Sequence, residues 1–481
     1  MKKILMFFLA ASFYLPFGQG QDNPLKTLDQ QDYLTWKTIK DVQLSADGRF
    51  TSYRVVPGEG DPLLHIYDAK DKSTIQVSRV SKSQFDYEAN ILFGIITPHR
   101  DSLRALERKK VDKKKWPCDT LFIYPLEKGT IEKTPYVTGY AAPSKLGGWL
   151  AYTLKKEAFL PDTVKDKDKK ASKKEITHLL VLDLNTGHQD TFKNIKEYTW
   201  AEKAPILVAN AQSEDSTQIA GVVLWKNHQW TYRKKQKGEY AKFSIDRDGN
   251  QVAFVGNLDT TKMQVPPWQL FYDDFTTDSA VVIAAKDASN LPLVSKDADL
   301  RWSKNGRYLF YGRTQMPVIK DTTLLADENV NVEIWGTQDP ELYTMQKFNK
   351  ANEEKRSYMF AYDHHVKKHV QIGSPEWEYV VLNSDRNARF ALVGTEKPYE
   401  QTVTWLSDPA KDLATVDLVT GKVTPFKKNI YTNPRLSPDG KFAFGYSDVD
   451  STWWTYQIIT GIFTLMNRNN IPTFYDELND N

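Results

Sequence analysis

The sequence predicts an all-β fold, a β-propeller of about seven or eight four-stranded blades. Three observations predict it. One phrase, an apolar residue, Ser, a turn closing on Asp-Gly, a basic residue and an aromatic strand, recurs along the chain. It stands as Leu44-Ser45-Ala46-Asp47-Gly48-Arg49-Phe50 and again as Leu436-Ser437-Pro438-Asp439-Gly440-Lys441-Phe442. A second phrase, an apolar strand running into a short polar turn, follows it at 179–187, 413–421, 458–461 and, in degenerate form, 360–365. The third observation is composition: 13 Trp and 24 Tyr favour strands over helices.

In chain order, the first element reads as a secretion signal. Lys2 and Lys3 precede the apolar run 4–15, and Gly18 and Gly20 place small residues before a cut ahead of Gln21. Residues 1–20 are therefore expected to be a signal peptide and 21–481 the propeller, exported to the periplasm or beyond. The run is shorter than the ~20 apolar residues of a membrane span. No Cys stands near the cut to carry a lipid.

Looser copies of the first phrase begin at Phe243, Trp302 and Leu382, and weaker ones cover 85–93, 144–152 and 200–209. That makes eight candidate units between Leu44 and Leu436, spaced by about 56 residues, against the ~40–50 of ordinary blades. Loops must be inserted. The Lys/Asp-rich run 162–175 reads as a mobile, solvated loop. Residues 315–331 read as a long insertion leading into a strand at Val332-Glu333-Ile334-Trp335. Gly at the turns supplies the positive φ of tight hairpins, so each unit is two hairpins. A pair of β-sandwiches would also show short strands between turns, but leaves the fixed order of the two phrases unexplained.

Chemistry is sparse. A net charge of +3 makes no case for nucleic acid or an anionic membrane. Cys118, the only cysteine, reads as a small packed residue and cannot form a disulfide within the chain. Gly445-Tyr446-Ser447-Asp448-Val449 is the nearest string to a serine nucleophile elbow, but it lacks the second Gly and reads as a strand. His364, His365 and His369 fall around a hairpin turn and read as solvated residues. Asp47, Asp248 and Asp439 precede Gly, where a carboxylate accepts from turn amides and has no need of calcium. The Lys-rich runs 108–115 and 165–174 carry interleaved acids and read as solvated. Trp453 and Trp454 must face opposite ways in a strand, one into the core. No catalytic, cofactor-binding or metal residue is assigned.

These phrases resemble the N-terminal propeller of the prolyl oligopeptidase family of serine peptidases, and within it the large secreted members of Bacteroidetes-type bacteria. The similarity is carried by Trp36-Lys37-Thr38-Ile39 before the first phrase, by Pro117-Cys118-Asp119-Thr120-Leu121, and by Trp302-Ser303-Lys304-Asn305-Gly306-Arg307-Tyr308-Leu309. Val332-Glu333-Ile334-Trp335 with Asp339-Pro340-Glu341-Leu342 adds to it, and the resemblance spans nearly the whole mature chain. It implies a propeller that covers an α/β-hydrolase domain and filters the peptides reaching a Ser-Asp-His triad.

The chain ends at Asn481 without such a domain, so none of the family's catalytic residues can be placed on it. The expectation is a non-catalytic, substrate-gating propeller from a truncated or split member, incomplete at its C-terminus. It would work with a peptide or a separately encoded hydrolase. An alternative is a freestanding exported binding propeller for a peptide, glycan or protein; a third is an enzyme whose chemistry the phrases do not reveal. A blade cut short would leave an unpaired strand edge that invites self-association.

Overall fold

The computed structural model describes residues 28–466, apart from 89–90, 156–176, 214–218, 326–327, 329–331, 405–408 and 450. The expected signal peptide and the Lys/Asp-rich loop 162–175 lie outside the described residues. Outside the broken inner strand of blade 6, strands pair with their sequence neighbours, antiparallel throughout, and they group into eight blades of a β-propeller. Strands within a blade are lettered A to D from the axis outward.

Blade 1 runs from strand A, Lys37–Leu44, to strand D, Ser73–Ser78. Blades 2 and 3 share one strand, Glu132–Ala141. Its first half closes blade 2 against Asp119–Pro125, and its second half opens blade 3 against Trp149–Lys155. Tyr136, at φ 65, marks the crossing. Blade 3 ends at Gln189–Phe192, blade 4 spans Ile195–Trp200 to Gln229–Lys235, and blade 5 spans Glu239–Ile245 to Val281–Ala284. Blade 6 has a broken A strand, Leu293–Val294 and Arg301–Trp302, both paired to Tyr308–Thr314. Blade 7 spans Tyr379–Val381 to Val423–Ile430, and blade 8 spans Arg435–Leu436 to Ile462–Leu465.

All eight phrase starts fall on the A–B turns of these blades, and the second phrase falls on C–D turns. Two expectations need correction. Residues 332–335 form no strand: Ile334 and Trp335 are exposed, and Trp335 stacks on Tyr343 at 4.8 Å. Among the described residues three α-helices also interrupt the β-only reading: α1 at Gln30–Thr35, α2 at Arg100–Arg108 and α3 at Tyr343–Glu353. None has a buried residue, so each decorates the array without entering its core.

The core lies between the blades. Seven apolar clusters join consecutive blades pairwise, from blades 1 and 2 through to blades 7 and 8. Interior strands are covered on both faces, which is why Ile91–Ile96, Ile206–Ala211 and Val252–Asn257 are buried at every position. In Leu63–Asp68 and Thr452–Gln457, by contrast, burial alternates with a period of two. Among the described residues no cluster joins blade 8 to blade 1. The uncovered face of blade 1 carries Ile39 and Leu44, and that of blade 8 carries Trp453 and Ile462, all exposed. Trp454, on the opposite face from Trp453, is wholly buried against blade 7.

The basic residue of the first phrase reaches the Asp that ends strand C, so the two phrases bind each other. Arg49 makes two hydrogen bonds to Asp68 at 3.0 and 2.6 Å, Arg307 two to Asp363, and Arg389 two to Asp417. Each guanidinium also covers the aromatic ring that follows it, at 4.7 to 5.3 Å. These bonds hold Asp68 and Asp417 down at about 2, from an ordinary 3.8. A depressed carboxylate stabilises the fold above its unfolded value, and that contribution is lost as pH falls toward the folded one. Stability measured by denaturant melts should therefore drop between about pH 4 and pH 2. Arg49→Gln with Arg389→Gln should flatten that drop; an unchanged profile would contradict the pairing.

Candidate binding site at the channel mouth

The A–B turns are built by the phrase itself. In blade 1, Ser45 Oγ accepts from the Phe50 amide at 2.8 Å and donates to Asp47 at 2.5 Å, while Asp47 accepts from the Arg49 amide at 3.1 Å. Ser437 and Asp439 repeat this in blade 8, and Ser303 with Asn305 in blade 6. The turn reading of Asp47 and Asp439 matches this geometry. Asp248 differs, because in blade 5 Asp246 stands at the Ser position and takes the amides of Asn250 and Gln251.

Neighbouring turns are stitched together. Lys145 N donates to Glu202 O, Lys203 N to Arg247 O, and Lys304 N to Asp385 O, each at 2.9 Å. Asn383 Nδ2 reaches Pro438 O at 2.9 Å. The phrase glycine is what lets adjacent turns approach. A Cβ on Gly440 would sit 2.3 Å from that of Ala388 in blade 7, at φ +69. Gly48, at φ +73, has nothing within 4 Å, because no blade stands before it among the described residues.

The stitched ends of blades 3 to 7 converge on a cavity of about 650 Å³. Trp200 and Trp302 form part of its wall, fixed by indole bonds to Ala141 O at 3.0 Å and Ser244 O at 3.3 Å. Five basic side chains line it, Lys145, Arg247, Arg301, Lys304 and Arg386, against the acids Glu202 and Asp385. Lys145 pairs with Glu202 and Lys304 with Asp385, each at 3.0 Å, and Arg386 donates to Trp302 O at 2.9 Å. Arg247 differs from the rest. Its Nε is buried without a hydrogen-bond acceptor, with Glu202 Oε2 at 3.7 Å. A buried donor left unmade costs about 1–3 kcal/mol, which an entering carboxylate or carbonyl oxygen can recover.

The residues singled out in the sequence do not gather here. Ser447 is buried at the end of strand Phe442–Ser447, with no helix following it, and Cys118 is half-buried just before Asp119–Pro125. His364 and His365 sit in the C–D turn of blade 6. His369 is no solvated turn residue: it lies on Lys368–Gln371 with both ring nitrogens engaged, by Tyr311 Oη at 3.0 Å and Ile283 O at 2.9 Å. Burial lowers its pKa. The channel residues were missed because they lie tens of residues apart and meet only once the blades stack.

No protein-family model and no curated protein matches this sequence. Among solved structures, the chain is similar to a eukaryotic initiation factor, at 11% identity and a TM-score of 0.42, over 90% of this chain and 89% of that one. The β-propeller domain of the trilobed protease from Pyrococcus furiosus, described as having an open velcro topology, matches at 8% identity and a TM-score of 0.32, over 82% and 97%. The acylaminoacyl peptidase of Pyrococcus horikoshii matches at 10% identity and a TM-score of 0.33, over 89% of this chain and 59% of that chain. These are likenesses of architecture, and no activity is carried across from them.

Proposed function

We propose that this chain is a non-catalytic, exported propeller that gates peptides for an α/β-hydrolase of prolyl oligopeptidase type and holds them at the channel mouth. The phrase-level resemblance to that family supports the class, and the basic, apolar N-terminal run supports export. The observation that carries the binding half is the buried, unmatched Nε of Arg247 in a cavity with excess positive charge. A peptide's terminal carboxylate supplies the acceptor that Arg247 lacks, and the Trp200 and Trp302 walls offer apolar cover for its last side chain.

Fluorescence anisotropy with a labelled short peptide, as free acid and as C-terminal amide, tests this reading. The free acid should bind about tenfold tighter or better, the worth of one charge-assisted hydrogen bond. Arg247→Met should erase the difference. Equal binding of acid and amide, or none at about 1 mM, would sink it. Treatment with a fluorophosphonate probe should leave the chain unlabelled; stoichiometric labelling would overturn the non-catalytic reading.

A further inference from the structure

At the rim between blades 3 and 4, away from the channel, three side chains meet that none of the roles above uses. His188 and Asp190 come from the C–D hairpin of blade 3, and His228 from the C–D turn of blade 4. Their ligand-capable atoms all lie within 4.8 Å of one another. His188 Nε2 is 3.2 Å from Asp190 Oδ1, and His228 Nδ1 is 2.8 Å from Asp190 Oδ2. Ligands around a tetrahedral zinc ion, at bond lengths of about 2.0–2.1 Å, stand roughly 3.3 Å apart. The trio is thus close to a ligating arrangement already.

Two independent features single this cluster out. Asp190 Oδ2 accepts from the indole N–H of Trp225 at 3.0 Å, and Trp225 is wholly buried. That is the kind of outer contact that orients a ligating carboxylate. The second feature is backbone conformation. Asn227 and His228, at φ 50 and 59, form a two-residue C–D turn that is left-handed at both positions. The longer C–D turns hold one such residue each, Gly187, Gly421 and Gly461 in blades 3, 7 and 8 and Lys72 and Lys367 in blades 1 and 6. A residue with a Cβ is held in a conformation that favours glycine, and its imidazole reaches across the blade boundary to Asp190.

We propose that His188, Asp190 and His228 bind one zinc ion that staples blade 3 to blade 4. Two imidazoles and a carboxylate suit zinc, whereas calcium and magnesium prefer oxygen ligands throughout. The exposed rings of His188 and His228 let the ion enter from solvent and leave a fourth position for water. The unfolded chain holds no such site, so binding stabilises the fold.

Calorimetric titration of the chelator-stripped chain with zinc chloride tests this, alongside thermal melts. One zinc per chain is expected, with a dissociation constant at or below about 10 μM, and a melting temperature that rises with zinc concentration. In His228→Gly, glycine accepts the left-handed turn and offsets part of the lost imidazole contacts to Asp190, Trp149 and Trp225, so the apo variant should still fold and melt near the parent temperature. Its zinc affinity should fall by about 100-fold, as should that of His188→Ala. Absence of binding at about 100 μM zinc, or undiminished binding by His228→Gly, would overturn the assignment. Magnesium chloride should give no response, and a response equal to that of zinc would overturn it as well.

Discussion

Replacing Arg233 with methionine is expected to destabilise the protein by about 3–5 kcal/mol, the cost of stranding one partner of a buried ion pair. Asp273 ends strand C of blade 5, the position that elsewhere takes the Arg of the same blade's first phrase. Blade 5 has Asn250 there, and Arg233 from the outer strand of blade 4 takes over. It bonds Asp273 at 2.5 and 2.8 Å and also donates to Thr277 O. The Asp273 side chain is 0% exposed. Without Arg233 the carboxylate keeps one described donor, the Phe275 amide at 2.8 Å, too little to offset its desolvation. Denaturant melts of Arg233→Met and of Arg233→Met/Asp273→Leu read the effect, and the double variant should recover much of the loss. The more exposed pair of blade 7 is the contrast: Arg389→Gln should cost far less near neutral pH, because water screens that pair. A cost no larger for Arg233→Met would mean that the buried pair is solvated.

The second large effect is expected from Gly440→Ala, at about 3 kcal/mol. Part of this, about 1–2 kcal/mol, is the left-handed backbone at φ +69. The rest is overpacking, since the new methyl would lie 2.3 Å from Cβ of Ala388 and the two turns would have to part. Separating them strains the bond from Asn383 to Pro438 and loosens blade 8 on blade 7.

Much of this architecture is legible in the sequence because the A–B turn demands chemistry that few residues supply. A hydroxyl that both accepts and donates, a carboxylate two residues on, and a left-handed glycine leave the same signature in blades 1 and 8. The Arg–Asp pairing is legible too, since one phrase carries the cation and the other ends strand C on the acid. Residues 332–335 misled for a physical reason. Val, Ile and Trp give them strand composition, yet no neighbouring edge pairs with them and they stay exposed. The helices bury no residue fully; in α2 the only half-buried apolar residues are Leu103 and Leu106, three residues apart, a pair too short to stand out beside the strand phrases. The sites are the least legible part. Arg247 and Glu202 meet across a blade boundary, as do His228 and Asp190, and neither pair is marked by spacing along the chain.

Among the described residues, eight blades stack through seven interfaces and the outer faces of blades 1 and 8 are uncovered. The phrase glycines test this arrangement most directly. Gly48 and Gly440 share a conformation but not a neighbour, so parallel denaturant melts of Gly48→Ala and Gly440→Ala separate backbone from packing. An open array predicts that Gly48→Ala costs only the backbone share, about 1–2 kcal/mol, and clearly less than Gly440→Ala. Equal losses at the two positions would mean that another blade presses on Gly48 and that the ring is closed.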